Sequence, residues 1–229
     1  MNLALFDLDH TLLPFDSGMA WTRFLVERGV LPPQAEATYL DHCHQYVAGT
    51  LDIHALHFAS VAPLASVPRA QLAQWATEFE QALRPHVPPQ LRVLVQRHLD
   101  AGDLCAIVTA TTRFIAEPCA RLFGVPHVVA TEAATLDGSA GGADSTFTGR
   151  ILGLPCFREH KVTRVLAWLA QRTPGDTAGL AAFAQSWFYS DSASDLPLLG
   201  AVSNPVAVRP DAGLRAHALR AGWPILDPA

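Results

Sequence analysis

Two aspartates near the start of the chain have the spacing to do chemistry together. The segment Leu3–Leu13 reads LALFDLDHTLL, in which Asp7 and Asp9 follow a short apolar run. Because side chains alternate along an extended chain, both carboxylates would point the same way, with Cα atoms about 7 Å apart. Two such charges need a cation between them or a proton on one of them, and phosphoryl transfer uses both arrangements. A solvated, Asp-rich turn after a strand is the alternative.

Two further polar residues stand at the ends of other apolar segments. Thr109 comes just past the predicted strand Leu104–Val108, where its hydroxyl and the N–H of Ala110 could hold a phosphate at a helix start. A helix-capping role is the alternative for this threonine. Lys161 lies at the start of a predicted helix, where the macrodipole disfavours a cation, so an anion nearby would explain it. An exposed lysine is the alternative there.

A second acidic pair follows a later strand. Asp191 comes shortly after the predicted strand Trp187–Tyr189, and Asp195 follows four residues on. Carboxylates at a strand end are hard oxygen ligands that suit Mg²⁺. A capping turn would also account for this pattern.

Apolar strands alternate with amphipathic helices through most of the chain. This alternation predicts an α/β fold with a Rossmann-like parallel sheet and helices on both faces. A hairpin is predicted over residues 131–151, with a mobile middle at 137–145, and a polar loop over 172–180. The predicted strands are Leu3–Phe6, Leu104–Val108, His127–Ala130, Trp187–Tyr189 and Val206–Val208, and the predicted helices between them are Gln90–Ala101, Arg113–Phe123 and one from Lys161.

Residues 15–85 carry only helical patterns. Four helices are predicted there, beginning near Asp16, Pro33, Asp52 and Pro68. We therefore expect a core of residues 1–14 and 86–229, with residues 15–85 inserted as an all-helical cap.

Composition limits the classes of protein and partner. The chain has 229 residues, of which 50% are hydrophobic and 16% charged, so a large core can form. The net charge is −5 and Lys and Arg do not cluster, which argues against a nucleic acid or an anionic membrane as partner. No apolar run approaches the ~18 residues of a membrane span, so we expect a cytoplasmic protein. The four cysteines are scattered, which predicts reduced thiols without zinc or disulfides.

The motif DLDHTLL at residues 7–13 resembles the first motif of the haloacid dehalogenase superfamily of phosphohydrolases. Thr109 and Lys161 fall where the second and third motifs of that superfamily belong. The segment YSDSASDLPLL at residues 189–199 resembles its fourth motif, an acidic pair after a strand. The resemblance implies that Asp7 is a nucleophile and Asp9 a general acid and base. It also implies that Thr109, Ala110 and Lys161 bind the phosphate.

The same resemblance implies a metal cofactor. Mg²⁺ would be held by Asp7, Asp191 and the backbone carbonyl of Asp9, with Asp195 supporting the site. Asp7 would then form an aspartyl-phosphate that water hydrolyses. In the superfamily an acidic residue at the position of Asp9 is typical of phosphatases, and not of dehalogenases or ATPases.

The helical insert resembles the small cap class of the superfamily, the branch that contains phosphoserine phosphatases. The stretches WTRFLVERG, YVAGTLD, IVTATTRFIAEP and CFREHK resemble a group linked to phosphoserine or histidinol phosphate. Phosphoserine phosphatases usually carry Ser-Gly-Gly where this chain has Thr109-Ala110-Thr111, and the added Cβ atoms narrow the approach to the backbone. We therefore favour histidinol phosphate, with phosphoserine as the alternative. Candidate substrate contacts in the cap are Asp16, Arg23 and Tyr46.

Two other functions remain open from the sequence. A phosphomutase or phosphotransferase could use the same fold, and a non-catalytic module could bind phosphate without turnover. The expected partner in all cases is a small phosphorylated metabolite. The sequence carries no signal of oligomeric state.

Overall fold

The computed structural model describes residues 1–138, 145–172 and 179–228, in which strands and helices alternate. In chain order the elements are β1 (Leu3–Phe6), α1 (Ser17–Glu27), α2 (Gln34–Val47), α3 (Ile53–Val61), α4 (Arg69–Leu83), α5 (Pro89–Asp100), β2 (Leu104–Thr112), α6 (Arg113–Phe123), β3 (His127–Thr131), β4 (Ala133–Thr135), β5 (Phe147–Ile151), α7 (His160–Arg172), β6 (Ser186–Ser190), α8 (Leu196–Leu199), β7 (Asn204–Val208), α9 (Ala212–Ala221) and β8 (Ile225–Leu226).

The main sheet is parallel and has β1 near its centre. In the described ranges six strands form it, in the order β3-β2-β1-β6-β7-β8, and every pairing is parallel. β1 is buried along its whole length, since β2 and β6 flank it and helices cover both faces. The predicted Rossmann-like fold is confirmed.

Alternating residues of β1 enter two separate apolar clusters. Ala4 and Phe6 pack on one face with side chains of α5, α6 and the helices before them. Leu3 and Leu5 pack on the opposite face with side chains of α7, α8 and α9. The period of two along β1 therefore fixes which helices lie on which side of the sheet.

Helices α1 to α4 lie between β1 and β2 in the chain, where the sequence predicts four helices. Trp21 of α1 stacks on Phe24 and meets Phe79 of α4 edge to face, with ring centroids 5.3 and 5.1 Å apart. α4 packs against α6, and α3 packs against β5. Gly149 of β5 lies at the contact with α3, where a Cβ atom would be only 2.9 Å from side-chain atoms of Phe58 and Ala62. The division of the chain into core and cap stays a prediction.

Helix α2 differs from its neighbours because none of its residues is buried. The chain enters it after Pro32-Pro33 and leaves it at Gly49, whose φ of +75° is in the left-handed region. The partly buried Ala35 of α2 packs against the apolar cluster that contains Phe6.

Several predicted boundaries differ from those found. β2 continues to Thr112, so Thr109 lies within a strand that bends, rather than just past one. The predicted hairpin is confirmed as the antiparallel pair β4 and β5. Residues 139–144 and 173–178 lie outside the described part of the chain, and with them most of the segment 137–145 and of the loop 172–180. Helix α9 and strand β8 were not predicted, because both are short and carry weak patterns.

Within residues 1–138, 145–172 and 179–228, no helix is long and apolar enough to cross a membrane.

Candidate active site

The carboxyl ends of the central parallel strands bring the predicted site residues together. Asp7 follows Phe6, which pairs with Ile107 of β2 on one side and Tyr189 of β6 on the other. The ends of β2 and β6 therefore lie beside the end of β1, at the edge where open α/β sheets bind ligands. This register places Thr109 and Asp191 next to Asp7.

The chain turns sharply after Asp7. Asp9 is extended (φ −72°, ψ 133°) and His10 has a φ of 58°, so residues Leu8–Leu12 form an irregular turn rather than a helix. The N–H of Leu13 donates to the carbonyl of Leu8 and closes the turn. The turn carries Asp9 and Thr11 back over the end of the sheet.

The Thr11 hydroxyl contacts both Asp7 and Asp191. Its hydroxyl oxygen lies 3.1 Å from Asp7 Oδ2 and 3.0 Å from Asp191 Oδ1, and it accepts a hydrogen bond of 3.0 Å from the N–H of Asp191. Because the hydroxyl has one hydrogen, the two carboxylates share it. Asp7 and Asp191 are therefore held close to each other on a fully buried threonine.

Lys161 is buried and is paired with two carboxylates. Its Nζ lies 2.8 Å from Asp7 Oδ1 and 2.7 Å from Asp195 Oδ2, and its exposed fraction is 3%. Burial alone would lower the pKa of Lys161, but Asp195 and Asp7 outweigh it and hold the pKa well above its ordinary value. Lys161 is therefore charged at neutral pH, and the alternative of an exposed lysine is excluded.

Asp195 faces Lys161 rather than the side of the site near Asp191. Its Oδ2 also accepts a 2.7 Å hydrogen bond from the Ser190 hydroxyl, while its buried Oδ1 has no partner among the described residues. Burial raises the pKa of the Asp195 carboxyl, and Lys161 opposes that rise.

Asp9 is held by two short hydrogen bonds that point its side chain away from Asp7. Oδ1 accepts from the N–H of Ser17 at 2.6 Å, and Oδ2 accepts from the Thr111 hydroxyl at 2.6 Å. Burial, and after it the charge of Asp16, raise the pKa of Asp9 to about 6 against the effect of those bonds. This carboxyl can therefore lose and regain a proton near neutral pH.

Asp191 forms no ion pair with a lysine or arginine among the described residues. Burial, and then the charge of Asp7, raise its pKa to about 8, whereas Lys161 contacts Asp7 and Asp195 instead. Burial also raises the pKa of Asp7, and Lys161 counteracts that rise. The charge of Asp191 beside Asp7 is therefore not offset by an ion pair within the described ranges.

The backbone after Thr109 differs from the prediction, because it continues as a strand instead of starting a helix. Thr109 is buried beside Asp7, but Ala110 and Thr111 are extended and α6 begins only at Arg113. The N–H of Thr111 donates to the Thr109 hydroxyl at 3.1 Å and is therefore not free. The backbone that could bind an anion here is therefore a bent strand end and not the start of a helix.

A cavity of about 640 Å³ opens over these residues. Its floor is the strand-end cluster, and its roof is formed by side chains of α2, including Tyr39 and Tyr46. Asp16 and Tyr46 line it, as predicted for substrate contacts. Arg23 does not: its largely exposed guanidinium pairs with Glu36, 3.2 Å away. The structure therefore places this predicted contact on the outer surface.

Asp16 and Tyr39 form a polar pair on the wall of the cavity. Asp16 caps α1 by accepting from the N–H of Met19 at 2.7 Å, and the same Oδ1 accepts from the Tyr39 hydroxyl at 2.9 Å. Gly18 makes room for this tyrosine, since a Cβ there would overlap the Tyr39 hydroxyl oxygen. Both of these hydrogen bonds use Oδ1, and among the described residues Oδ2 of Asp16 accepts none.

Tyr46 links the roof to the loop after β6. Its hydroxyl oxygen lies 2.7 Å from Ser192 Oγ and 2.9 Å from Ser194 Oγ. Nearby, the Arg158 guanidinium donates to the carbonyl of Gly49 at 3.1 Å. The end of α2 is thus fastened to the loop that carries Asp191.

The sequence does not predict three side-chain contacts of this site, those of Thr11, Thr111 and Tyr39. A hydroxyl two residues after Asp9 is a usable signal for Thr11, because a turn returns it to the strand end. Tyr39 is one of several polar residues of the insert that could face the site, but its bond to Asp16 depends on the packing of α2 on α1.

The residues present fit a magnesium ion. The uncompensated charge between Asp7 and Asp191 is the observation that favours a cation there, and carboxylate and carbonyl oxygens suit Mg²⁺, which keeps several waters. In the described part of the chain no three His, Cys, Asp or Glu side chains group as metal ligands. The expected set requires only two, with the backbone carbonyl of Asp9 as the third ligand.

The fold and the acidic strand-end cluster are those of a hydrolase with a Rossmann-like core. The sequence matches the haloacid dehalogenase-like hydrolase family over residues 4–200, and the chain belongs to that family. Phosphatases of the family are generally Mg²⁺-dependent. The resemblance inferred from the motifs is thereby confirmed.

Individual relatives and structures add detail. The chain is 41% identical to a histidinol-phosphatase of Neisseria meningitidis serogroup C, covering 99% of this chain and 98% of the relative. It is 30% identical to a phosphoserine phosphatase of Mycobacterium tuberculosis, covering 98% and 70%. A crystal structure of a Bordetella pertussis protein of unknown function matches with a TM-score of 0.87 at 44% identity, covering 100% and 99%. A phosphoserine phosphatase captured as a phospho-aspartyl intermediate analogue shares the fold at a TM-score of 0.60 and 16% identity, covering 99% and 93%.

Proposed function

We propose that this protein is a Mg²⁺-dependent phosphomonoester hydrolase that acts on a small phosphorylated metabolite through an aspartyl-phosphate on Asp7. The observation that carries the proposal is the position of Asp7 at the end of the central strand. There its carboxylate is hydrogen-bonded to Lys161 and Thr11 and lines the cavity. A nucleophile held in this way loses little freedom when it attacks.

The first chemical step transfers the phosphoryl group to Asp7. A carboxylate oxygen of Asp7 bonds to phosphorus as the bond from phosphorus to the ester oxygen breaks, and Asp9 gives its proton to the departing alkoxide. The Thr109 hydroxyl and the Lys161 ammonium bind the phosphoryl oxygens, together with the backbone at Ala110. Lys161 also neutralises part of the charge of Asp7 before substrate binds.

The second step returns Asp7 to its starting state. Asp9, now ionised, takes a proton from a water molecule, whose oxygen bonds to phosphorus and displaces the Asp7 carboxylate. Its pKa of about 6 suits both roles, because neither protonation state is costly to reach near neutral pH.

Asp7, Asp191 and the backbone carbonyl of Asp9 are the residues that would hold Mg²⁺, with Asp195 as a supporting residue through Lys161. When bound, the ion offsets the charge of the phosphate ester and of the two carboxylates. The Thr11 hydroxyl lies within hydrogen-bond distance of both of these carboxylates and would help to orient them toward the ion.

Histidinol phosphate is the substrate that we favour. Its support is the 41% identity to a relative named histidinol-phosphatase over nearly the whole of both chains. The cavity adds a physical reason: among the described residues that line it, Lys161 is the sole lysine or arginine, whereas Asp9, Asp16 and Asp211 also line it. A leaving group with an ammonium and no carboxylate suits these charges. Phosphoserine, which carries a carboxylate, is the alternative.

Turnover of a defined panel tests the proposal. Purified protein is assayed with Mg²⁺ or with EDTA on histidinol phosphate, phosphoserine and p-nitrophenyl phosphate, with Asp7→Asn as the matched inactive control. We expect hydrolysis that requires Mg²⁺, is greatest for histidinol phosphate, and falls by orders of magnitude in Asp7→Asn. A phosphate transferred between sugars, or binding without turnover, would instead favour the phosphotransferase or the non-catalytic module. Near-normal activity of Asp7→Asn would exclude Asp7 as nucleophile.

A further inference from the structure

An arginine near the end of the chain braces the turn that follows Asp7. Arg209 comes directly after β7 with a φ of 44°, and its N–H donates to the carbonyl of Leu226 at 2.7 Å. Its guanidinium lies over the turn: Nη2 donates to the carbonyl oxygens of His10 at 3.0 Å and Thr11 at 2.8 Å, and Nε is 3.3 Å from that of His10. A longer contact of 3.4 Å reaches the carbonyl of Leu13.

These contacts suit an arginine in particular. The carbonyl groups of the irregular turn converge on one point, and the planar guanidinium offers several donors to them in a fixed geometry. A lysine would offer a single point charge in the same place. No local pattern indicates this role, since Arg209 is 198 residues from Thr11 along the chain.

Asp211, two residues after Arg209, contacts the loop that carries Asp191. Its N–H donates to the carbonyl of Asp191 at 2.7 Å, and its Oδ2 accepts from the N–H of Ala193 at 2.8 Å. Its Oδ1 meanwhile caps α9 through the N–H of Leu214 at 2.7 Å. One short segment, residues 209–211, therefore contacts both loops that supply the carboxylates of the site.

We propose that the segment 209–211 sets the separation of Asp7 and Asp191, and with it the affinity of the site for Mg²⁺, and that Arg209 is its principal positioning residue. Arg209 acts through the turn, because that turn carries Thr11, whose hydroxyl lies between the two carboxylates. If the turn moves, the shared hydrogen bond and the opposing carboxylates move with it. The inference rests on the Mg²⁺ site of the proposed function.

Direct binding of Mg²⁺ alone, measured by isothermal titration calorimetry without substrate, tests this role. The variants are Arg209→Gln and Arg209→Lys, and the matched control is Arg220→Gln, which removes the same charge from an exposed position at the end of α9. We expect the dissociation constant for Mg²⁺ to rise about tenfold in Arg209→Gln, the size expected when hydrogen bonds from a charged donor are lost. Arg209→Lys should fall between that variant and the wild type, and Arg220→Gln should match the wild type.

Thermal unfolding of the same samples in EDTA separates positioning from folding. A lower Tm with an unchanged Mg²⁺ dissociation constant in both Arg209 variants would make Arg209 a stabilising residue only and overturn the inference. If Arg209→Gln does not unfold cooperatively, Arg209→Lys decides, because it keeps the charge and one donor. Wild-type protein that binds no Mg²⁺ would refute the metal assignment and this inference together, whereas equal binding by all variants would refute the inference alone.

Discussion

The Thr111 hydroxyl donates a hydrogen bond of 2.6 Å to Oδ2 of Asp9, which ties the end of β2 to the turn after β1. This bond favours the ionised carboxylate, whereas burial and the charge of Asp16 favour the protonated one, and the pKa of Asp9 is about 6 as a result. The Thr111 hydroxyl thus holds the pKa of Asp9 below the value that burial and Asp16 would otherwise give it.

Replacing Thr111 with valine should therefore shift the pH profile. Loss of the hydrogen bond raises the pKa of Asp9 further, by up to about one unit for a bond of this kind. Because the acid must be protonated for the first step, the alkaline limb of kcat/KM for histidinol phosphate should move to higher pH. The control is Thr77→Val on the exposed face of α4, where the hydroxyl donates to the carbonyl of Ala73 in its own helix. An unmoved limb would argue against Asp9 as the acid.

Asp9→Asn should distinguish between leaving groups. An alkoxide needs a proton to depart and a nitrophenolate hardly does, so phosphoenzyme formation should fall far more for histidinol phosphate than for p-nitrophenyl phosphate. General acid catalysis of this kind is worth about 10²–10⁴-fold. Rapid-quench measurement of that step is required, because hydrolysis of the phosphoenzyme should slow equally for both substrates. Equal losses in the first step would mean that the Asp9 carboxyl does not act as the general acid.

Without metal, the protein should become less stable as pH rises. The pKa of Asp191 is about 8 in the folded protein and 3.8 when exposed, so the native state binds the extra proton between these values. The unfolding free energy should then fall as pH rises from about 4 to about 8, and Mg²⁺ should restore it by binding the ionised form. Thermal unfolding of wild type and Asp191→Asn in EDTA or Mg²⁺ measures this. Asp191→Asn should show a weaker pH dependence and a smaller response to Mg²⁺, and an unchanged pattern would refute the explanation.

Asp16→Asn should alter substrate preference and leave the helix intact. Asparagine caps a helix as well as aspartate does, so α1 should keep its start. The loss of a carboxylate opposite an ammonium should lower kcat/KM for histidinol phosphate about 10- to 100-fold, with a small effect on p-nitrophenyl phosphate, which carries no amine. Because Asp16 also raises the pKa of Asp9, both substrates are compared at the pH optimum of each enzyme. Equal losses for both substrates would place the amine elsewhere in the cavity.

Tyr46→Phe should loosen the roof of the cavity at one helix. The change removes the hydroxyl that contacts Ser192 and Ser194 but keeps the ring beside Phe157. Since α2 has no buried residue, its backbone amides should exchange faster with deuterium, while those of α4, which packs on α6, serve as the internal control. KM for histidinol phosphate should rise several-fold with little change in kcat. Faster exchange throughout α1 to α4 would mean that the four helices open as one body.

The sequence alone predicted the central strand, a parallel sheet and the acidic residues at the strand ends, but not the order of the strands within the sheet. Asp7, Thr109 and Lys161 could be found because their motifs lie beside clear apolar runs. The contacts of Tyr39 with Asp16 and of Arg209 with Thr11 could not, because they depend on how distant elements pack. The extended course of Thr109–Thr112 was also missed, since a strand that bends at its end has the local pattern of a strand followed by a helix.

Gly18 has a consequence for how this cavity could change over evolutionary time. A methyl group at this position would occupy the space of the Tyr39 hydroxyl and force it away from Asp16. A single Gly18→Ala replacement would therefore remove one of the two hydrogen bonds that Asp16 Oδ1 accepts and leave the one from the N–H of Met19. Gly18 is thus a position in the lining of the cavity at which one added methyl group would change how the carboxylate of Asp16 is presented to a leaving group.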